Sequence, residues 1–194
     1  GFGVAGAGHR HPEVVAAAQS QSQVLIHAMG DAFPDPQRIR LLERLSQLTG
    51  YHRTILGSSG SDAVEAAIKT AVIATGRTRV MSFKNSYHGL AFGSLATTDY
   101  KAESFKAPFA DLLGNHVHHL PYGAPINTPL NDFAAVIVEP IQGRGGIRVP
   151  PNGWLASIIR QAHNAGALVI FDEIYTGFGR TGDWFAFENP DLEG

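Results

Sequence analysis

Two short apolar runs, each ended by a carboxylate, constrain this chain more than any other feature. "AAVIVEP" spans Ala134–Pro140 and "ALVIFDE" spans Ala167–Glu173. Neither alternates polar with apolar residues, and each is too short for a helix that buries one face. A strand that is apolar at every position has no side suited to water, so both runs predict β-strands covered on both faces. The first breaks at Glu139 and the second at Asp172.

Helical patterns lie between the strand patterns. Pro12 opens an Ala-rich helix running to about Gln23, and Asp35-Pro36 caps another in which Ile39, Leu42, Leu45 and Leu48 recur until Gly50. Arg53–Leu56 reads as a short strand. From Ser61 the residues Val64, Ala67, Ile68, Ala71 and Val72 share one helical face, ended by Gly76. Arg79–Phe83 and Val117–Leu120 read as strands, with polar stretches at Asn85–Gly89 and around Lys101 and Lys106. Asn152-Gly153 leads into a helix carrying Trp154, Ile158, Ile159 and Ala162, and Gly166 ends it. Alternating helices and wholly apolar strands predict an α/β fold of three layers around a mostly parallel sheet. Ligands in such sheets sit at the carboxyl ends of the strands, which puts Glu139 and Asp172 at the functional edge.

Composition narrows the function. The chain has 194 residues, 44% hydrophobic and 16% charged, with a formal net charge of −2. No basic stripe is present to hold a phosphate backbone, so a nucleic-acid partner is not expected. Zero cysteines excludes disulfides, thiolate metal sites and a cysteine nucleophile. No run of about 18 apolar residues is present, so no membrane partner is expected. With no secretory leader at the start, the cytoplasm is the expected location.

In "LGSSGSDAVEAAIK", Leu56–Lys69, small hydroxyl residues and a glycine precede a helix. Free backbone N–H groups and the positive end of the helix dipole converge there, which suits a phosphate. An ordinary Ser-capped helix reads the same way. Asp172 is a helix cap, a solvated turn residue, a metal ligand, or the partner of a ring nitrogen that it keeps protonated. A protonated pyridine is an electron sink, as pyridoxal phosphate chemistry requires. Tyr87 in "NSYHGL" either stacks on a flat cofactor or covers the core.

Taken together, "SSGSDAVEAAIK", "NSYHG", "VEPIQGRGG", "VPPNGWL" and "FDEIYTGFGRTG" resemble, in order and spacing, the class III aminotransferases that use pyridoxal 5'-phosphate. "GHRHPEVVAAAQ" near the start resembles their early segment, so the resemblance covers essentially the whole chain. It implies the large domain of a fold type I transferase over residues 1–194, incomplete and without the small C-terminal domain. It implies that Ser59, Gly60 and Ser61 hold the cofactor phosphate, that Tyr87 stacks on the ring with His88 beside it, and that Asp172 pairs with the pyridine nitrogen. Ile174 would pack on the opposite ring face, Tyr175 would lie at the cofactor, and Glu139 would act near cofactor and substrate. Asp172 and Glu139 are thus the expected catalytic groups. The implied partners are a small-molecule amino donor, a 2-oxo acid acceptor and a second copy of the chain in a homodimer.

Departures from the family pattern are specific. Tyr175 stands where glutamine is usual, which leaves its role open. Asp62 and Arg144 stand where glutamate is usual. The family's catalytic lysine follows a stretch like "NPDLEG", and only Lys69, Lys84, Lys101 and Lys106 occur here. Lys84 is the least unsuitable substitute. The chain is therefore expected to be the front part of a longer enzyme and inactive alone. The alternative is a lysine-free module that binds pyridoxal phosphate or a similar phosphate without chemistry.

Two rival motifs carry less. Gly177–Gly182 spells G-x-G-x-x-G, as do Gly1, Gly3 and Gly6 in letters. Five residues separate Gly177 from the preceding strand, whereas a dinucleotide fingerprint starts at the strand end and opens a helix on its third glycine. His116, His118 and His119 cluster, with His9 and His11 elsewhere, but no acidic partner sits nearby in sequence and no metal is expected.

Overall fold

The computed structural model describes residues 5–30 and 32–188. Gly1 and Gly3, and the stretch from Asn189 to Gly194, lie outside the described residues. The chain divides into two compact units between Thr54 and Ile55. The first contains helices α1 (Pro12–Val24) and α2 (Pro36–Thr49). Asp35 caps α2 by accepting the Gln37 N–H at 2.8 Å, and Gly50 ends it in the left-handed region at φ +73°, as the sequence predicts. Neither helix buries a residue.

The second unit is built on a sheet. Its elements are α3 (Gly60–Thr75), β1 (Arg79–Phe83), α4 (Phe92–Thr97), α5 (Ala102–Phe105), α6 (Ala110–Leu113), β2 (Val117–Leu120), β3 (Phe133–Val138), α7 (Trp154–Asn164) and β4 (Leu168–Phe171). All the strands run parallel, in the order β2-β1-β3-β4. The chain leaves β1 toward one edge and β3 toward the other, so the switch point lies between β1 and β3. Sheets of this kind take ligands at the carboxyl ends of the strands beside such a switch point.

Side chains alternate across the sheet and fill two cores, one on each face. Val80 and Ile137 pack against Val64 and Ile68 of α3, while Ala134 and Ala135 meet Ala71. On the opposite face Met81, Phe83, Val136 and Val138 meet Trp154, Leu155 and Ile158 of α7. Every residue of β3 is 0% exposed. Burying each large apolar side chain there contributes roughly 1.5–3 kcal/mol. The Trp154 indole N–H donates to the Ala124 carbonyl at 2.7 Å, so its one polar atom is satisfied within the core. This is the three-layer α/β arrangement expected from the sequence.

Three expectations are corrected. Arg53–Leu56 joins no sheet, and Ile55 is 71% exposed. A four-residue apolar run becomes a strand only where another edge supplies its ladder, and none meets it. β4 is apolar throughout, yet it lies at the edge of the sheet and none of its residues is fully buried. The stretch around Lys101 and Lys106 is not a loop. Phe105 packs against Leu95, Ala96 and Leu113 of α4 and α6, and Lys106 Nζ donates to the Ala96 carbonyl at 2.8 Å. Helices of four to six residues are too short to show a hydrophobic period.

Gly177–Gly182 falls in consecutive turns after β4, and no helix opens on its third glycine. Among the described residues no three His, Asp or Glu side chains gather as a metal would require. No described helix is long and apolar enough to cross a membrane.

Candidate functional site

The carboxyl ends of β1, β3 and β4 and the start of α3 converge on one cluster. After β1 the chain turns at Asn85, whose φ is +64°. That turn is pinned by its neighbours: Asp99 accepts the Asn85 N–H at 2.9 Å and the Lys84 ammonium at 3.0 Å, and the Ser86 carbonyl accepts two further backbone N–H groups. Burial pushes the Asp99 pKa up, but these donors outweigh it and hold the carboxyl below its ordinary value. Lys84 is thus committed to an ion pair.

The pinned turn presents Tyr87 and His88. The Tyr87 N–H donates to Glu139 Oε2 at 3.1 Å, and the Gly143 N–H donates to Oε1 at 3.3 Å. The first of these bonds bridges the switch point between β1 and β3, and the second holds the carboxylate within the loop after β3. Glu139 is 4% exposed, and burial raises its pKa to about 7. The nearby Asp172 charge pushes the same way, while His88 and the two N–H donors pull it back.

His88 is buried, and its Nδ1 lies 2.7 Å from Asp172 Oδ2. An ionised carboxylate only accepts, so Nδ1 carries the hydrogen. Nε2 is buried with no hydrogen-bond partner among the described residues. Asp172 Oδ1 accepts the Ile174 N–H at 3.2 Å. His88 therefore reaches the cluster through Asp172, from the protein side. The adjacent acid plays a different part, because Glu173 accepts the N–H groups of Ala186 and Phe187 and the Thr176 hydroxyl and so ties down the loop after β4.

At the start of α3, the Ser59 hydroxyl accepts the Asp62 N–H at 3.1 Å and caps the helix. Asp62 returns a bond to the Ser58 N–H at 3.1 Å. The Ala63 N–H is taken by the Ser59 carbonyl. Two first-turn donors, the N–H groups of Gly60 and Ser61, have no partner among the described residues, which is the condition for holding an anion. The Ser61 side chain is engaged elsewhere, bonded to Ser94 at 2.6 Å and to the Ala91 N–H at 2.9 Å. A Cβ at Gly60 would lie 2.5 Å from Ile174 Cδ1, so the cradle and the loop after Asp172 touch. Gly143 in turn lies against the Tyr175 ring, where a Cβ would be 3.1 Å from Cγ.

These contacts close on themselves, from Gly60 through Ile174, Asp172, His88, Tyr87, Glu139 and Gly143 to Tyr175. An anion cradle, a buried carboxylate backed by a histidine and an aromatic ring thus share one sheet edge. The sequence model of the family "Aminotransferase class-III" matches residues 1–193. The chain belongs to the class III aminotransferases.

Curated relatives agree with the assignment. An acetylornithine aminotransferase from Methanosarcina acetivorans is 38% identical over 196 residues, covering 100% of this chain and 49% of that protein. One from Methanopyrus kandleri is 40% identical over 190 residues, covering 95% and 48%. A [LysW]-aminoadipate semialdehyde transaminase from Deinococcus radiodurans is 39% identical over 195 residues, covering 97% and 45%. The chain spans about half the length of the curated relatives it matches. Class III aminotransferases depend on pyridoxal phosphate, and the sheet and its flanking helices are those of a fold type I transferase.

All the residues singled out from the sequence for this site lie in the cluster. Three contributors were not legible there. Gln142 Nε2 donates to the Lys84 carbonyl at 2.9 Å and ties the β3 loop to the β1 turn. Tyr122 donates its hydroxyl to the Glu139 and Pro140 carbonyls at 3.0 and 2.9 Å. Asp99 fixes the Asn85 turn. Tyr122 and Asp99 sit in no motif, and although Gln142 falls within "VEPIQGRGG", each of the three acts across a distance in sequence that no local pattern reveals. A separate cavity of about 310 Å³ opens beyond Pro140, walled by Ile141, Val149, Pro151 and Leu155 with Arg180. Its walls include neither Asp172, His88 nor Glu139.

Proposed function

We propose that this chain is the cofactor-binding part of an enzyme that transfers an amino group from an amine or amino acid to a 2-oxo acid. The observation that carries the reading is the Asp172–His88 pair, buried at the strand edge near Glu139, with the following Ile174 against Gly60 at the start of α3. The residues fit pyridoxal phosphate. The Gly60 and Ser61 N–H groups would take the phosphate, with Ser59 closing the helix end beside them. Tyr87 and Ile174 would enclose the ring, and Tyr175 would border it. When bound, the cofactor supplies the electron sink that amino transfer requires.

Asp172 has the donor set for its role. Each oxygen already accepts one hydrogen bond and retains a lone pair for a ring N–H. His88 and the Ile174 N–H orient the carboxylate, so it would be held fixed opposite the ring nitrogen. Glu139, with a pKa of about 7, can hold or release a proton at Oε1 or Oε2 at neutral pH. We further propose that the whole protein adds a small domain and acts as a cytoplasmic homodimer. Phe92, Phe109 and Leu112, at 55%, 41% and 67% exposure, offer apolar surface for such contact.

The test uses the native gene product that carries these residues. Equilibrium dialysis with pyridoxal phosphate, paired with an amino-transfer assay, should show binding and turnover. Asp172→Ala should keep binding within about tenfold, because the phosphate cradle is intact, and lower turnover at least about 100-fold. An unchanged rate would remove Asp172 from the mechanism. Binding without any transfer would leave a cofactor-binding module and overturn the activity.

A further inference from the structure

Lys106, the residue after α5, forms one wall of a cavity of about 260 Å³. Ala96, Ala110, Leu113 and Val117 supply its apolar walls, and His119 lines it as well. The ammonium is fixed there by its bond to the Ala96 carbonyl at 2.8 Å, and its other two N–H groups have no partner among the described residues. Burial, and after it the Lys106 charge, push the His119 pKa down to about 4, so that ring is neutral at pH 7. Its Nε2 donates to the Thr97 carbonyl at 3.1 Å, which leaves Nδ1 without a hydrogen. Burial also lowers the Lys106 pKa; Asp99 opposes the shift and Lys84 adds to it. The other lysines are placed differently. Lys69 is exposed, Lys84 is paired with Asp99 at 3.0 Å, and Lys101 Nζ lies 5.5 Å from the centre of the Tyr100 ring, a setting that favours its charged form.

We propose that Lys106 is a site of acylation, taking a short acyl group such as acetyl from an acyl phosphate into this cavity. The neutral amine attacks the acyl carbon. An N–C bond forms, the C–O bond to phosphate breaks, phosphate departs with the electron pair, and the surplus proton passes to solvent. A lysine desolvated by apolar walls is a better nucleophile than one in water, because more of it is the free amine. The product also suits the cavity better than the ammonium does. An amide keeps one N–H, which matches the Ala96 carbonyl, and it sets no charge against Ala110, Leu113 and Val117. The acyl carbons then add apolar contact where the ammonium leaves two donors unpaired. Neither a cofactor nor an amino substrate is needed for this step.

The experiment treats the native full-length protein with acetyl phosphate and follows each lysine by peptide mass spectrometry. Lys106 should acetylate at least about fivefold faster than Lys69, Lys84 and Lys101 in the folded protein. In concentrated urea, where the cavity is gone, the four rates should fall within about twofold of one another. A Lys106 rate no faster than the others in the folded protein would overturn the proposal. So would a preference that persists in urea, because it would then come from the local sequence and not from the cavity. Ala110→Leu fills the space from an exposed wall position, so the fold should tolerate it. This variant should slow Lys106 at least about fivefold while Lys69 is unaffected. An unchanged Lys106 rate in the variant would show that the cavity takes no acyl group, whatever the amino-transfer assay reports.

Discussion

Glu139 is the residue at which stability and chemistry pull in opposite directions. Burial lifts its pKa from 4.5 to about 7. Between those values the folded chain binds more protons than the unfolded one, so the unfolding free energy falls as pH rises through that window. A shift of this size corresponds to about 3 kcal/mol, fully lost above pH 7. Glu139→Gln removes the titration. Its amide oxygen can accept from either Tyr87 or Gly143, and the other N–H then faces an amide donor, a cost of roughly 1–3 kcal/mol at every pH. Denaturant unfolding of both proteins from pH 4.5 to 8 should therefore show the variant gaining about 3 kcal/mol on the native chain across the range. A difference independent of pH would mean that Glu139 titrates like a surface acid. The penalty follows from placing a carboxyl group at a buried strand end, where desolvation disfavours its charged form.

Among the elements, the two ends of the sheet divide the labour. The site occupies the carboxyl ends, and Arg77 holds the amino ends together: Nη1 donates to the carbonyls of Phe133, Ala165 and Gly166 at 3.1, 3.0 and 3.1 Å. One guanidinium thus ties the start of β3 to the turn before β4. Arg77→Met should destabilise the chain by about 1.5–3 kcal/mol in denaturant unfolding while pyridoxal phosphate affinity in dialysis stays within about twofold. A loss of affinity matching the loss of stability would refute this separation. Nothing in the sequence marks Arg77, because its partners lie 56 to 89 positions away. The strands were legible for the opposite reason, since an apolar run such as Phe133–Val138 carries its burial in its own composition. Residues of the site were legible as motifs at strand ends, but their pairing was not. His88 meets Asp172 across 84 positions, and only the parallel order of β1, β3 and β4 brings them together. Arg53–Leu56 failed as a strand because strand identity depends on a neighbour as well as on side chains.

The whole molecule is uneven in how well each unit can hold itself together. The unit up to Thr54 contains two helices and no buried residue among those described, while Val24, Ile26 and Phe33 are 82%, 88% and 69% exposed. Helices of 13 and 14 residues are marginal in water without a packed face. The unit from Ile55 onward has a sheet cored on both faces, and opening it would expose β3 and the packed face of α7. Local opening should therefore be frequent in the first unit and rare in the second. Trypsin reads this difference directly in the 194-residue chain. Arg10, Arg38, Arg40, Arg44 and Arg53 lie in the first unit, whereas Lys84 and Lys101 lie in turns that Asp99 and Ser86 fasten to the sheet unit. Under native conditions the early cuts should fall after the arginines, leaving a resistant product whose N-terminal sequence begins at Thr54. Early cleavage after Lys84 or Lys101 would mean that the turn carrying Tyr87 and His88 opens as readily as the first unit. A site that has to hold a carboxylate, a ring and a proton in fixed relation cannot tolerate that mobility, so the order of cleavage tests the preorganisation on which the proposed chemistry depends.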